Sequence, residues 1–265
     1  MQNQAGDASQ QSGVSVNPAI PSDEVGAATL DMFRENARYT EFLLDRLLAF
    51  SPAPLRGRVL EIGCGIGNLT QILLSRAEVT HLHAIDVDPS YVKETLRRVR
   101  DPRLEATVAA AEAFCPEGFT TADGGFDLVV STNVLEHVED HLQVLLNVRQ
   151  MLRPDGIALI LVPAHQFLFS NLDRSLSHFR RYSRGDFQRL APSAGLRVVR
   201  ARYFNPLGAF GWWLNGKVLR RSVLPAVQLS LYSRFAVPLS KVLDGVNPFP
   251  FGVSLLAVLA RENDH

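Results

Sequence analysis

Five short runs rich in Val, Ile and Leu alternate with stretches of helical periodicity, and this alternation constrains the fold more than any other feature. The runs are GRVLEIG, HLHAID, LEATVAA, FDLVVST and GIALILVP, and the stretches between them include NLTQILLSRA, SYVKETLRRVR and HLQVLLNVRQML. Strands that alternate with helices predict a parallel sheet covered by helices on both faces. Ligands of such sheets bind at the carboxyl ends of the strands. The sequence therefore predicts an α/β fold with a site at that edge.

Segments of different character flank the alternating region. Residues 1–28 are rich in Gln, Ser, Asn and Ala, which predicts a disordered tail rather than a signal peptide, and residues 29–265 are expected to form a single domain. Residues 163–183 form an aromatic connection with Arg and His that is long enough to predict a lid or acceptor loop. After the strand LRVVRARYF, residues 205–250 form an apolar segment that is predicted to insert as helices before a last strand, GVSLLAVLA.

Charge and cysteine content limit the partners and the compartment. Lys and Arg total 27, as do Asp and Glu, so the formal net charge is zero, which argues against a nucleic-acid partner. Two cysteines, Cys64 and Cys115, are too few for a disulfide framework and favour the cytoplasm. The sequence contains no uninterrupted apolar run of about 18 residues, so we predict no membrane span. No Cys or His spacing typical of a metal site occurs, and we expect no metal.

A glycine-rich turn, LEIGCGIGNLT, follows the first strand and leads into a helix. Gly63, Gly65 and Gly67 let the backbone approach a ligand closely, and the helix that follows offers unpaired N–H groups. The GxGxG spacing differs from the GxGxxG dinucleotide fingerprint, because position 68 is Asn, and it lacks the lysine of a P-loop. The turn predicts a nucleotide-like ligand and disfavours NAD or FAD, and a purely structural turn is the alternative.

Two carboxylates beside this turn are candidates for binding. Asp86, at the end of the second strand, can accept hydrogen bonds from vicinal ribose hydroxyls. Asp88 precedes Pro89 and suits the N-cap of the next helix. Glu61 lies within an apolar strand end, where a buried carboxylate is costly without a partner. An ammonium or sulfonium ligand would supply that partner, and a nearby arginine is the alternative.

The glycine turn, Glu61 and Asp86 together resemble the class I S-adenosylmethionine-dependent methyltransferases. The segments AAAEAF, FDLVVSTNVLEHVEDH and MLRPDGIALILVP are similar to later motifs of that family, so the resemblance covers residues 57–163. PAHQFLFSNLDRSLSHFRRYSRGDF and NPLGAFGWWLNGKVL resemble a bacterial subgroup, similar to methyltransferase types 11 and 12, that acts on small molecules. The resemblance implies a Rossmann-like seven-stranded sheet, an apolar helical insertion near the C-terminus and S-adenosyl-L-methionine as cofactor.

The resemblance also implies the cofactor contacts. Glu61 and residues 63–67 would hold the methionine portion, and Asp86 would hold the ribose. Ser131 and Asn133 would reach the methionine end. Tyr39 would contact the methionine carboxylate, and ordinary packing is the alternative for this side chain. The full implied set is Tyr39, Glu61, Gly63, Cys64, Gly65, Gly67, Asp86, Val87, Ala111, Glu112, Ala113, Ser131 and Asn133.

Methyl transfer from a sulfonium is an in-line displacement, so the protein mainly positions the two reactants. Where the acceptor is a hydroxyl, a histidine base can help, and His178 is the first candidate and His137 the second. A purely structural role of His137 in its loop is the alternative. The pattern of the subgroup implies that the acceptor contacts are His165, Asp173, Arg181, Tyr182 and Trp212.

These observations predict methyl transfer to a small acceptor that is apolar or linked to a lipid or sugar, such as a natural product or an envelope metabolite. O-methylation is the first hypothesis, and N- or C-methylation of a similar molecule is the alternative. An NAD(P)-dependent oxidoreductase and a non-catalytic membrane-docking protein are alternatives of other classes. The segment 205–250 could roof the acceptor pocket, form a homodimer interface or contact a membrane peripherally.

Overall fold

Seven strands form the sheet at the centre of the computed structural model, which describes residues 47–51, 55–114, 125–224 and 251–262 and the single positions 228, 234 and 239. The strands are β1 (Gly57–Ile62), β2 (Val79–Asp86), β3 (Leu104–Val108), β4 (Phe126–Thr132), β5 (Leu152–Pro163), β6 (Leu196–Phe204) and β7 (Ser254–Arg261). Their order across the sheet is β3-β2-β1-β4-β5-β7-β6. The predicted α/β fold with a Rossmann-like, seven-stranded sheet is confirmed.

Helices connect the strands at the predicted places. They are α1 (Asn68–Leu74), α2 (Pro89–Arg98), α3 (His141–Met151), α4 (Asn171–Ser175), α5 (Arg184–Ser193) and α6 (Pro206–Trp213). Leu135–His137 and Gln166–Leu168 are short 3-10 helices, and Leu214–Val218 continues α6 as a π-helix. Asp88 caps α2 as predicted, because its carboxylate accepts a hydrogen bond from the backbone N–H of Ser90 at 2.7 Å.

Both faces of the sheet are covered, as the apolar runs predict. Alternate residues of β5 point to opposite faces: Ile160 belongs to one buried cluster and Leu159 to the other. Val144 and Leu145 of α3 pack into the first cluster, and Leu73 of α1 packs into the second. Strands buried on both faces need no polar alternation, which explains why their sequences are continuous in Val, Ile and Leu.

The direction of β7 differs from the parallel sheet that the alternation predicts. β7 lies between β5 and β6 and runs antiparallel to both. Its first residue, Ser254, pairs with Phe204, the last residue of β6, so the chain enters β7 at the edge where β6 ends. A strand that starts at this edge can only run back across the sheet, which makes it antiparallel.

The predicted lid, residues 163–183, folds onto the carboxyl end of β5. Ala164 and Tyr182 form a β-bridge, and Tyr182 N donates to Pro163 O at 2.8 Å. Between these points the chain forms a 3-10 helix and α4. The segment is therefore anchored at both ends, and its lid function stays a prediction.

Other expectations fall partly or wholly outside the described residues. The tail 1–28 lies outside them, and so does most of the segment 205–250 beyond residue 224. The part of that segment that is described starts as the predicted helix, α6. Among the described residues, no helix has the length and apolar character that crossing a bilayer requires.

Candidate active site

The glycine turn leaves β1 and leads directly into α1. Gly63, Gly65 and Gly67 have φ angles of 81°, 51° and 81°, in the left-handed region that side chains disfavour. The backbone N–H groups of Gly63 and Cys64 both donate to Ile85 O, at 2.8 and 3.0 Å, which fixes the turn against β2. The turn therefore needs glycine for its own conformation, and the N–H groups of Gly63, Gly65 and Gly67 all donate within the protein, to Ile85 O, Asp86 and Cys64 O.

Gly63→Ala is expected to lower the free energy of unfolding by about 2–4 kcal/mol, measured by urea denaturation. A Cβ at this position would lie 2.3 Å from Cγ2 of Val134, and alanine at a φ of 81° is also strained. Gly211→Ala is the control, because a Cβ there meets nothing within 4 Å and the residue is inside α6. This control should leave stability unchanged or raise it by roughly 0.5–1 kcal/mol. Equal losses for both variants would contradict the steric explanation.

Asp86 links the turn to the start of α2. One carboxylate oxygen accepts a hydrogen bond from Gly65 N at 2.8 Å, and the other accepts one from Asp88 N at 3.0 Å. Burial raises the pKa of Asp86, although these backbone N–H groups oppose the shift. Beside it, Val87 is 50% exposed, as an adenine-contacting side chain needs to be. Asp86 thus shapes the glycine turn, and its contact with a ribose stays a prediction.

Glu61 is buried at the carboxyl end of β1. Its Oε2 accepts a hydrogen bond from the Thr70 hydroxyl at 2.6 Å, whereas Oε1 has no hydrogen-bond partner among the described residues. Burial raises the pKa of Glu61 to about 8, with a smaller contribution from Asp86 and an opposing one from Thr70. The arginine partner considered as an alternative is not found there among the described residues. A cationic ligand is the partner that this carboxylate lacks.

Ser131 is the register neighbour of Ile62 near the end of β4, one strand away from Glu61. It is 1% exposed, and its hydroxyl has no hydrogen-bond partner among the described residues. Asn133 follows with a φ of 54° and is exposed. Buried polar atoms are nearly always hydrogen-bonded, so unpaired atoms on two adjacent strand ends indicate a ligand site.

The segment with Ala111, Glu112 and Ala113 is held by a residue that sequence reasoning missed. Asn147 of α3 donates from its side-chain amide to the carbonyl oxygens of Ala111 and Glu112, at 3.2 and 2.7 Å. Ala111 is buried, whereas Glu112 and Ala113 are exposed. The exposed pair is available to an adenine edge, as the resemblance implies, and this contact stays a prediction.

Thr95 and Arg98 of α2 also support the turn and were not predicted. The Thr95 hydroxyl donates to Gly65 O at 2.8 Å, and Arg98 donates to Ile66 O and to the side chain of Asn68. A signal for Thr95 exists in the sequence, because it shares the buried face of α2 with Val92. Side chains of one helix thus hold the carbonyl groups of Gly65 and Ile66 in place.

Two implied cofactor residues need separate comment. Cys64 packs its side chain into a buried apolar cluster, and burial, together with the charges of Glu61 and Asp86, raises the pKa of its thiol. Its backbone N–H donates to Ile85 O, and a contact of Cys64 with the cofactor stays a prediction. Tyr39 lies outside the described residues.

Asp173 is the centre of a buried polar network in the predicted lid. It is 0% exposed, and its Oδ1 accepts hydrogen bonds from Arg181 Nε at 2.6 Å and from His178 Nδ1 at 3.1 Å. Its Oδ2 accepts from Ser170 N at 2.8 Å and from Trp212 Nε1 at 3.1 Å. Burial alone would raise the pKa of Asp173, but the hydrogen bond from His178 and the charge of Arg181 lower it overall.

Arg181 and Trp212, two predicted acceptor contacts, are partners in this network. The guanidinium carbon of Arg181 lies 4.6 Å from the Trp212 ring centroid, and Nη1 donates to Ala164 O at 3.0 Å. Trp212 is turned inward, whereas Trp213 is 42% exposed, so the two adjacent tryptophans face different surroundings, as expected. Asp173 and Arg181 contact each other rather than open solvent, and their acceptor contacts stay predictions.

Tyr182 is buried and connects the lid to the 3-10 helix Leu135–His137, which follows β4. Its hydroxyl donates to Leu135 O at 3.0 Å and lies 2.8 Å from His141 Nδ1. Burial raises the pKa of this hydroxyl. Tyr182 and Arg181 also line a cavity of about 370 Å³, but neither His137 nor His178 lines it, and the acceptor roles of Tyr182 and Arg181 stay predictions.

The two candidate bases, His137 and His178, come together. Their ring centroids are 4.7 Å apart and the ring planes meet at 84°. The side chain of His178 is 8% exposed, and His137 is exposed. His165 lies apart from them, stacked between Tyr203 and Phe251 at centroid distances of 4.3 and 4.8 Å. Burial, with Arg181 and Arg184, lowers the pKa of His165, which favours a neutral, packing ring.

Glu136 is a further buried carboxylate next to these histidines, and sequence reasoning missed it. It is 0% exposed, and neither of its oxygens accepts a hydrogen bond from another described residue. Burial raises the pKa of Glu136 to about 8; its own backbone N–H and the Arg181 charge oppose this shift, and Asp173 adds to it. The site edge thus carries a second buried acid without a bonded cation.

Comparison with known proteins identifies relatives of the chain. The family model described as "Methyltransferase domain" matches residues 32–201. A malonyl-(acyl-carrier protein) O-methyltransferase of Haemophilus ducreyi is 31% identical over 102 residues, which are 38% of this chain and 39% of that protein. A trans-aconitate 2-methyltransferase of Methylobacterium radiotolerans is 29% identical over 133 residues, 48% of each chain. The chain thus spans less than half the length of these two relatives.

A solved structure shares the fold. The S-adenosylmethionine-dependent methyltransferase from Mesorhizobium loti has a TM-score of 0.57 with this chain at 16% identity. The superposition covers 82% of this chain and 96% of that one. At this identity the likeness concerns the architecture of the sheet and its helices.

Proposed function

The chain belongs to the class I S-adenosylmethionine-dependent methyltransferase family, and from this we propose that it transfers the methyl group of S-adenosylmethionine to an oxygen of a small acceptor. Family membership sets aside the alternative of an NAD(P)-dependent oxidoreductase. The proposal concerns the cofactor site at the ends of β1, β2 and β4 and the histidine pair beside it.

The unpaired polar atoms at the sheet edge carry the proposal for the cofactor. Glu61 Oε1 and Ser131 Oγ are buried on adjacent strands without hydrogen-bond partners among the described residues. The ammonium group of a methionine moiety would pair with Glu61, and Ser131 would bond to the same end of the ligand. Asp86 would bind the ribose, and Val87 with residues 111–113 would enclose the adenine.

The histidine pair supports the place of the acceptor. His137 lies five residues after the end of β4, and Val134, between them, is the side chain that a Cβ at Gly63 would meet. The acceptor would therefore lie between the glycine turn and the lid, in line with the sulfonium methyl group. Fixing two reactants in this way is worth roughly 7–11 kcal/mol, and a histidine that removes the hydroxyl proton adds about 10²- to 10⁴-fold.

Oxygen is the proposed acceptor atom for two reasons. The histidine pair at the site suits an acceptor that must lose a proton, and one relative is named an O-methyltransferase. The acceptor is proposed to be a small molecule that is apolar or linked to a lipid or sugar. N- or C-methylation of a similar molecule is the alternative that the assay below separates.

Transfer of a labelled methyl group tests the proposal. Purified protein is incubated with S-adenosylmethionine tritiated at the methyl group and with matched acceptors that carry a hydroxyl, a carboxyl, an amine or an activated carbon on one apolar skeleton. Label in the hydroxyl or carboxyl products is the expected result. Label in the amine or carbon products would replace oxygen as the acceptor atom. Failure to bind S-adenosylmethionine at millimolar concentration would overturn the proposed function.

Cofactor binding is expected to weaken as the pH falls below about 8. Glu61 must be ionised to pair with a cation, and its pKa of about 8 in the free protein means that ligand binding at lower pH releases a proton. Each pH unit below 8 then costs up to about 1.4 kcal/mol, or tenfold in affinity. Isothermal titration calorimetry from pH 6 to 9 measures the affinity and the protons released.

Glu61→Gln is the matched variant, since glutamine can still accept the Thr70 hydrogen bond. It should bind the cofactor roughly tenfold more weakly at pH 8.5 and release about one proton fewer at pH 6.5. Ligand groups that titrate contribute equally to both proteins and cancel in the comparison. The same proton release by both proteins would remove Glu61 from the cofactor site.

Peripheral membrane contact and a homodimer stay predictions for the segment that begins at residue 205. Its described part exposes the side chains of Phe210, Trp213, Val218 and Val223. Such a group is compatible with a roof over the acceptor, a subunit interface or a lipid surface. A cytoplasmic location is likewise a proposal.

A further inference from the structure

Glu136, His137 and His178 form a cluster at the edge of the proposed acceptor site. The first two lie in the 3-10 helix after β4, and His178 reaches them because the backbone N–H of Phe179 donates to Glu136 O at 2.8 Å. One carboxylate oxygen and one nitrogen from each histidine lie within 4.8 Å of one another. Two ligand atoms bonded to one ion at about 2.0–2.2 Å lie at most about 4.4 Å apart, so these side chains reach a common ion after a small rotation.

Glu136 is the member of the cluster that most needs a cation. Its side chain is fully buried, and neither carboxylate oxygen accepts a hydrogen bond from another described residue. The charge of Arg181 acts on Glu136, but Nε and Nη1 of Arg181 donate to Asp173 and Ala164 O. A carboxylate buried in this way is stable as an anion only with a bonded cation.

His178 is oriented as metal-bound histidines are. Its Nδ1 lies 3.1 Å from Asp173 Oδ1, so the tautomer that donates a hydrogen bond to this carboxylate has its proton on Nδ1. Nε2 is then the nitrogen with a free lone pair. Asp173 is itself fixed by Ser170 and Trp212, which holds the imidazole in one orientation. A carboxylate that orients a histidine through its second nitrogen is the usual support of a metal ligand.

We propose that Glu136, His137 and His178 bind one divalent transition-metal ion, such as Zn²⁺. Two imidazoles and a carboxylate suit ions of this class and leave coordination positions open. The open positions would take the acceptor oxygen, whose pKa a bound metal lowers, so that water instead of a metal-bound histidine would accept the acceptor's proton. The acceptor role rests on the proposed function, whereas metal binding does not. The sequence predicts no metal, since ligands from two separate segments give no Cys or His spacing typical of a metal site.

A second cluster of potential ligands, His81, His83 and Glu105, is a weaker candidate. Glu105 is 51% exposed, and the two histidines lie within 3.7 Å of it, so this acid has both water and imidazole partners. His83 Nε2 is 3.1 Å from the Thr107 hydroxyl. The cluster provides the control for the experiment.

Metal titration of the full chain, stripped with a chelator and dialysed, tests the site. Zn²⁺ is followed by calorimetry, and Co²⁺ by its visible absorption. One ion per chain is expected, and Glu136→Gln and His178→Gln should each weaken binding by at least about 10- to 100-fold. His81→Gln should leave the affinity of this ion unchanged. The absence of binding by the wild type, or weakening by His81→Gln alone, would overturn the proposal.

A separate measurement distinguishes the metal from the transfer reaction. Methyl transfer is measured on the stripped protein before and after one equivalent of Zn²⁺ is restored. A rate that rises on restoration supports the acceptor role. Equal rates, with one ion shown to bind, would overturn the acceptor role and leave the proposed function intact. Metal binding without any cofactor binding would instead contradict the proposed function alone.

Discussion

The kcat of a His178→Gln variant is expected to be at least about 100-fold lower than that of the wild type, with nearly unchanged affinity for S-adenosylmethionine. As a base, His178 contributes roughly 10²- to 10⁴-fold; as a ligand of the proposed metal, it would instead hold the ion that lowers the pKa of the acceptor. Glutamine can donate its amide N–H to Asp173, as His178 Nδ1 does, so the buried network retains a partner. Steady-state kinetics with a hydroxyl acceptor gives kcat, and calorimetry gives the cofactor affinity.

His81→Gln is the control for this experiment. His81 is partly exposed at the start of β2, near Glu105 and away from the carboxyl edge of the sheet. Its replacement should change kcat by less than about twofold, because surface changes away from the site rarely matter. Wild-type turnover by His178→Gln would remove His178 from the reaction.

Much of the fold was predictable because its causes are local. The strand FDLVVST coincides with β4, and LRVVRARYF coincides with β6. Continuous Val, Ile and Leu identify strands buried on both faces without knowledge of their neighbours. The glycines at 63, 65 and 67 also predict their turn locally, because glycine readily adopts the positive φ that each of them has in the structure. The same reasoning identified Asp88 as the cap of α2, and the structure confirms it.

Features that depend on distant partners were not predictable. The direction of β7 follows from where β6 ends, which no pattern within GVSLLAVLA reveals. Asn147 lies on α3 and donates to the carbonyl oxygens of residues 111 and 112, which are distant in the sequence. Within its own segment it looks like any polar residue of an amphipathic helix. In the sequence, Glu136 likewise has the character of a polar residue in a solvent-exposed turn. It is completely buried in the structure, where the backbone N–H of Phe179, in the distant lid segment, donates to its carbonyl oxygen.

The replacement Asp173→Asn is expected to lower the free energy of unfolding by about 3–5 kcal/mol, measured by urea denaturation at pH 7. Arg181 is 4% exposed and would keep its charge without the carboxylate that it bonds, which is the costly way to break a buried ion pair. The pKa of Asp173 is below its ordinary value, so its stabilisation exists above the unfolded pKa of about 3.9 and is lost as the pH falls through the folded value. The variant should lack this acid-dependent loss.

Asp186→Asn separates the buried charge from helix capping. Asp173 and Asp186 occupy the same position in capping boxes, at the start of α4 and of α5. Asp186 differs in that its side chain is 32% exposed and its partner Arg189 is 74% exposed. An exposed ion pair and a cap together contribute only about 1 kcal/mol, so this loss should be several-fold smaller. Similar losses for both variants would show that Asp173 acts as a cap, and the network around His178 would then lack its proposed anchor.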